Sequence, residues 1–181
     1  MPNRVRPPRL DAHALLAYDR TVFNAFVRRL RRLPRRVTHL DLGIAHGSMI
    51  RTLDHILNAH ESWLLYIVPG RQREIAALWR ETGRQPTTWK GLDRYAARVW
   101  DGIDARGPTL TERELDRVVK APWMPGRYTV RDALLQASFE EAHHIGEIIG
   151  ALWRFDLEPP PMTWIERRPR PKRRAPGGRG S

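Results

Sequence analysis

One core's worth of chain, 181 residues without a cysteine, excludes disulfides, thiolate zinc sites and cysteine nucleophiles, and leaves His, Asp, Glu or water to hold any metal. No apolar run approaches the roughly 20 residues that span a bilayer, and residues 1–10 lack the apolar stretch of a signal peptide, so a cytoplasmic protein without a membrane partner is expected. The formal net charge of +12, from 32 Lys and Arg against 20 Asp and Glu, raises nucleic acid as a partner, subject to where the charge sits.

Residues 1–10 read as an N-terminal arm. From Asp11 the positions Leu15, Leu16, Val22, Phe23, Phe26, Leu30 and Leu33, with Asp19 in the same stripe, recur with helical period and stop at Pro34. A basic connector over residues 35–42 leads to a second helix over residues 44–68, with Met49, Leu53, Ile56, Trp63 and Ile67 on one stripe and Pro69-Gly70 as its stop. Residues 75–79 suit a short helical turn. Pro86-Thr87-Thr88 opens a third long helix through Trp89, Leu92, Ala96, Val99 and Ile103, stopped by Gly107-Pro108. Between Leu115 and Tyr128, the pair Val118-Val119 and the turn Pro125-Gly126 predict a short hairpin or irregular crossover.

Thr129-x-x-Asp132 has the pattern of a capping box and starts a fourth helix, carrying Val130, Leu134, Ala137, Ile148, Ala151 and Phe155 toward Pro159-Pro160-Pro161. Beyond it, Arg167, Arg168, Arg170, Lys172, Arg173, Arg174 and Arg179 supply seven positive charges with no acid among residues 167–181, leaving about +5 on the body. Rich in Pro and Gly, residues 166–181 cannot bury enough apolar surface to fold, and read as a disordered basic tail. The chain is therefore expected to be all-α, a four-helix bundle over residues 11–165, where cofactor sites are built from side chains facing inward. No repeat, Gly-rich phosphate loop or nucleophile elbow is present. The seven tryptophans read mostly as core or rim packing.

Chemistry concentrates on the fourth helix, in Glu140-Glu141-Ala142-His143-His144-Ile145-Gly146-Glu147. On a wheel of about 100° per residue, Glu140, Glu141 and His144 fall within the apolar stripe, His143 turns away and Glu147 lies at the edge. Carboxylates facing a core are costly without partners, and a divalent cation shared with an imidazole relieves them. The i, i+4 spacing of Glu140 and His144 places two ligands on adjacent turns. His55, on the second helix among Ser48, Ala59, Ser62 and Tyr66, has room to reach across as a third. On the same wheel His60 turns away from His55 and His46 lies nearly opposite, and both are set aside, with His13 and His39. The plainer alternative is a His–Glu hydrogen bond or an arginine pair. A ferritin-like di-iron site would need a second Glu-x-x-His beside Glu141-x-x-His144, which the sequence lacks.

Taken together, Leu53-Asp54-His55-Ile56-Leu57-Asn58-Ala59-His60-Glu61-Ser62-Trp63-Leu64, then Tyr128-Thr129-Val130-Arg131-Asp132 leading into the Glu140 to Glu147 segment and Glu158-Pro159-Pro160-Pro161, resemble the DinB/YfiT-like superfamily. The resemblance implies an up-down-down-up four-helix bundle in which a histidine of helix two and two ligands of helix four hold a divalent metal. His55 and His144 match the first and last of these positions. Glu140 stands where the family pattern has a histidine, which makes the site harder and favours zinc, manganese, iron or nickel over copper. Glu141 becomes a supporting carboxylate or alternative ligand.

Characterised members of that superfamily include metal-dependent transferases that use low-molecular-weight thiols. The resemblance thus implies a small-molecule substrate, such as a thiol of that kind, for a transferase or hydrolase, and the sequence leaves open whether bundles pair into a homodimer. A second class of function is a non-catalytic scaffold whose basic tail binds nucleic acid or another polyanion by charge.

Overall fold

The structure, a computed structural model, describes residues 11–82 and 87–164. The expected arm at 1–10 and the tail at 166–181 lie outside the described residues. Helix α1 (Ala12–Arg31) begins at Asp11, whose carboxylate accepts the Ala14 backbone N–H at 2.9 Å. Pro34 ends the apolar period as expected and precedes a single turn, α2 (Arg35–Thr38).

Helix α3 (Met49–His60) starts later than the periodicity suggests. Residues 41–48 form a loop closed by the Leu42 N–H donating to Gly47 O at 2.7 Å and by a bridge between Ile44 and Gly47. Gly43 (φ 67°) and Gly47 (φ 77°) supply the left-handed backbone that this turn requires. The apolar residues of the loop mimic a helical period without forming a helix.

After His60 the helix widens into a π-helical stretch (Glu61–Ile67), marked by the Val68 N–H donating to Trp63 O at 2.9 Å. Helices α4 (Ile75–Thr82), α5 (Trp89–Arg106) and the short α6 (Glu112–Leu115) follow, with Thr88 capping α5. The expected hairpin is present as β1 (Val118–Val119) antiparallel to β2 (Tyr128–Thr129). It runs directly into α7 (Val130–Trp153), whose capping box is complete: Thr129 and Asp132 satisfy each other's backbone N–H groups, a motif whose loss costs about 1 kcal/mol.

Four long helical segments, α1, α3 with its π extension, α5 and α7, form a bundle. Helix α3 packs on α7 and α5, and α1 packs on α7 and α3. Phe23, Phe26 and Leu30 of α1, Leu53, Ile56 and Leu57 of α3, Val99 and Trp100 of α5, and Leu134, Ile145 and Ile148 of α7 are buried together. Each such side chain contributes about 1.5–3 kcal/mol of transfer free energy against the entropy of ordering it. The tryptophans divide differently from the expectation. Trp63 and Trp100 are core, whereas Trp79, Trp123, Trp153 and Trp164 are exposed. Trp123 meets the buried Trp63 edge-on at 5.2 Å, and Trp79 lies tilted against Trp123 at 5.0 Å.

Candidate metal centre

Three imidazoles meet between the loop before α3, α3 itself and α7. The rings of His46 and His55 stack with centroids 3.6 Å apart, and His144 stands edge-on to them at 4.9 and 4.7 Å. One ring nitrogen from each lies within 4.8 Å of the other two, a span that side-chain rotation can close onto one ion with bonds of about 2 Å. His144 Nδ1 lies 2.8 Å from Glu147 Oε2. Burial pushes Glu147 up, but the His144 hydrogen bond and the Ala45 amide hold its carboxyl below the usual range, so it is a carboxylate and His144 Nδ1 donates. That fixes the tautomer and leaves His144 Nε2 as a lone pair for a metal.

The other Glu147 oxygen accepts the Ala45 N–H at 3.4 Å, so one carboxylate ties α7 to the loop that carries His46. Burial, reinforced by the positive charge that His55 and His144 would bring, lowers the His46 imidazole to about 4. His46 is then neutral at pH 7, the form that ligates.

Glu140 faces the same place from α7. Its Oε1 lies 3.9 Å from His55 Nε2, and Gln136 donates to its Oε2 at 3.3 Å. The facing imidazole holds Glu140 below its ordinary range despite burial. His143 is exposed, as the wheel indicated.

Glu141 is placed differently from the sequence reading. It points away from His144, into the bundle, where His60 of α3 and Asp19 of α1 meet it: His60 Nε2 is 3.5 Å from Glu141 Oε2 and 3.6 Å from Asp19 Oδ2. The carboxylate supporting His144 is instead Glu147, one turn further on. Desolvation, with the Asp19 charge beside it, pushes the Glu141 carboxyl well up, and the Phe23 backbone N–H pulls weakly the other way without reaching hydrogen-bonding geometry.

A sequence model of the DinB superfamily matches residues 20–148. The chain belongs to the DinB superfamily. No curated protein matches it. The match runs from α1 into α7 and takes in every residue of both clusters except Asp19, which precedes it by one position.

In this DinB chain the donors fit a divalent ion: three imidazoles in reach of one another, one of fixed tautomer, with a carboxylate at the rim. Two of the three imidazoles, His55 and His144, are those the sequence singled out. His46 escapes the helical wheel because residues 44–48 continue the apolar period of α3 but lie in a loop, where no wheel angle applies. Gly43 and Gly47-Ser48 were the available signal, glycines of a turn and a residue suited to an N-cap. His60 does turn away from His55 as expected, but toward a second set of polar groups, announced by an acid, Asp19, inside the apolar stripe of α1.

A groove of about 610 Å³ between α3 and α5, lined by Asp54, Tyr66, Arg94, Tyr95 and Arg98 among others, shares no lining residue with either cluster. No helix among the described residues is long and apolar enough to cross a membrane.

Proposed function

We propose that this protein is a divalent-metal-dependent enzyme of the thiol-transferase or hydrolase type, with His46, His55 and His144 as ligands and Glu140 beside them. The convergence of three imidazoles from separate elements supports this reading, since like groups that compete for charge are brought together, with Glu147 hydrogen-bonded to one and Glu140 facing another. The all-nitrogen set suits zinc, iron or nickel, and a fourth bond to Glu140 would extend it to manganese.

A bound divalent ion would lower the pKa of a thiol or water and so supply a nucleophile near neutral pH. The protein's own groups do the positioning. Glu147 holds the His144 tautomer and anchors the loop of His46. Glu140, kept ionised and steadied by Gln136, is placed to accept the proton that such a nucleophile loses. His55 is bracketed by the His46 ring face and Glu140, which limits its rotation.

Elemental analysis of protein equilibrated with zinc, manganese, iron or nickel and dialysed tests the reading. His55→Ala with His144→Ala should lose one equivalent of metal relative to the unaltered chain. Equal metal content in both proteins would sink it. Transfer of a low-molecular-weight thiol to an electrophile, lost when Glu140→Gln is introduced with metal content unchanged, would select the transferase over the hydrolase.

A further inference from the structure

The second cluster lies in the interior of the bundle. Asp19 of α1, His60 at the end of α3 and Glu141 of α7 are 2%, 0% and 2% exposed, so all three ionisable groups have left water. Asp19 Oδ2 accepts a hydrogen bond from Ser138 Oγ at 2.6 Å. His60 Nδ1 lies 3.1 Å from the Ile56 carbonyl oxygen, which can only accept, so Nδ1 carries the proton. In the neutral ring that leaves a lone pair on Nε2. It faces two carboxylates, and neither His60 Nε2 nor either oxygen of Glu141 has a hydrogen-bond partner. Polar atoms turned on one another without partners in a dry core are relieved by a cation held between them.

The spacing says which kind. His60 Nε2 stands 3.6 Å from Asp19 Oδ2 and 3.5 Å from Glu141 Oε2. An N–H···O hydrogen bond spans about 2.7–3.2 Å, so a proton on Nε2 would be poorly shared with either oxygen. Two ligands on one tetrahedral ion with bonds of about 2.0–2.2 Å are roughly 3.4 Å apart. The ring is thus held by its Nδ1 hydrogen bond at the separation that a shared metal would set, as outer partners commonly hold ligating histidines. Ser138 does the same for Asp19.

We propose that Asp19, His60 and Glu141 form a second divalent-metal site, closed to solvent and structural in role. Two carboxylates and a neutral imidazole cancel the charge of a divalent ion, leaving no net charge in the core. Both oxygens of Glu141 are free, so chelation by that carboxylate makes four donors and leaves no position for a substrate. The mixed oxygen and nitrogen set fits zinc, manganese or iron. Such an ion clasps α1, α3 and α7 at one point and exchanges only when the bundle opens. This site is independent of the three-imidazole centre, and its test is kept separate from it.

The full-length triple variant His46→Ala, His55→Ala, His144→Ala removes the outer imidazoles and leaves the inner group intact. Refolded with zinc or manganese and dialysed, it should retain one equivalent per chain, released to a chelator no faster than the protein unfolds. Its melting midpoint should fall after refolding in chelator. Cobalt(II) loaded into it should show one nitrogen and otherwise oxygen donors by X-ray absorption. Adding Glu141→Gln should reduce the bound metal to zero, and if that protein fails to fold, the cobalt spectrum of the triple variant decides. Less than a tenth of an equivalent in the folded triple variant, or a melt indifferent to chelator, would overturn the proposal. The outer centre fails on a different readout, the difference in metal content between the unaltered chain and the triple variant.

Discussion

Glu147 accepts a hydrogen bond from His144 at 2.8 Å and, through its other oxygen, the backbone N–H of Ala45 at 3.4 Å. One side chain therefore orients a ring on α7 and holds the loop that presents His46. Glu147→Gln should keep the fold and weaken metal binding at the outer centre by about 10–100-fold, the usual cost of removing such a partner. Competition against a chelator of known affinity measures it, and unchanged affinity would show that His144 needs no such support.

The low His46 value makes the metal-free protein sensitive to acid. Its imidazole is lowered from 6.5 to about 4 in the folded chain. Between those values the unfolded chain takes up a proton that the folded chain does not, so stability falls as pH drops through that window and recovers as pH rises above 6.5. Other groups titrate in the same range, so the comparison that isolates His46 is with His46→Asn. Denaturant midpoints of chelator-treated protein at pH 7 and pH 5 should separate more for the unaltered chain than for the variant. Equal separations would remove the assignment.

Away from the metal groups, Glu61 is 1% exposed at the start of the π-helical stretch and is held by Arg98 and by the Tyr95 hydroxyl at 2.8 Å. Burial, then the Glu61 charge and its hydrogen bond, push the Tyr95 hydroxyl well above its ordinary range, so it stays protonated and donates. Arg98→Leu leaves a buried carboxylate with one neutral partner. Because the Arg98 side chain is 56% exposed, water can replace part of what is lost, and the cost should be about 1–3 kcal/mol in urea unfolding.

Seven positive charges without an acid among residues 167–181 give a simple expectation for polyanions. Deleting residues 167–181 should abolish salt-sensitive binding to DNA or RNA in a fluorescence titration. Binding that survives the deletion with the same salt slope would place its source on the bundle.

The four helices were readable because their apolar residues follow a 3.6 period and their ends carry Pro34, Thr88, Gly107 and the Thr129–Asp132 box. His55 and His144 were readable for the same reason: on a true helix, spacing fixes direction. His46 was not, since a loop bent by two glycines obeys no such rule. Glu141 lay in the stripe as expected, but a wheel gives an angle and not a partner. The packing of α1 and α3 on α7 brings Asp19 and His60, rather than His144, to it. The π-helical stretch at Glu61–Ile67 left no trace in residue type.

In that stretch the turn closes five residues back, as the Val68 N–H to Trp63 O bond does, and so holds one residue more than an α-helical turn. His55 and His60, before it, thus differ in phase from Val68, at its far end, by the one residue gained. Deleting a single residue between His60 and Ile67 would restore an even helix and rotate its far half by about 100° relative to both histidines. The facing of the histidine-bearing end of this helix relative to its tryptophan-bearing end is therefore set by chain length and not by residue type.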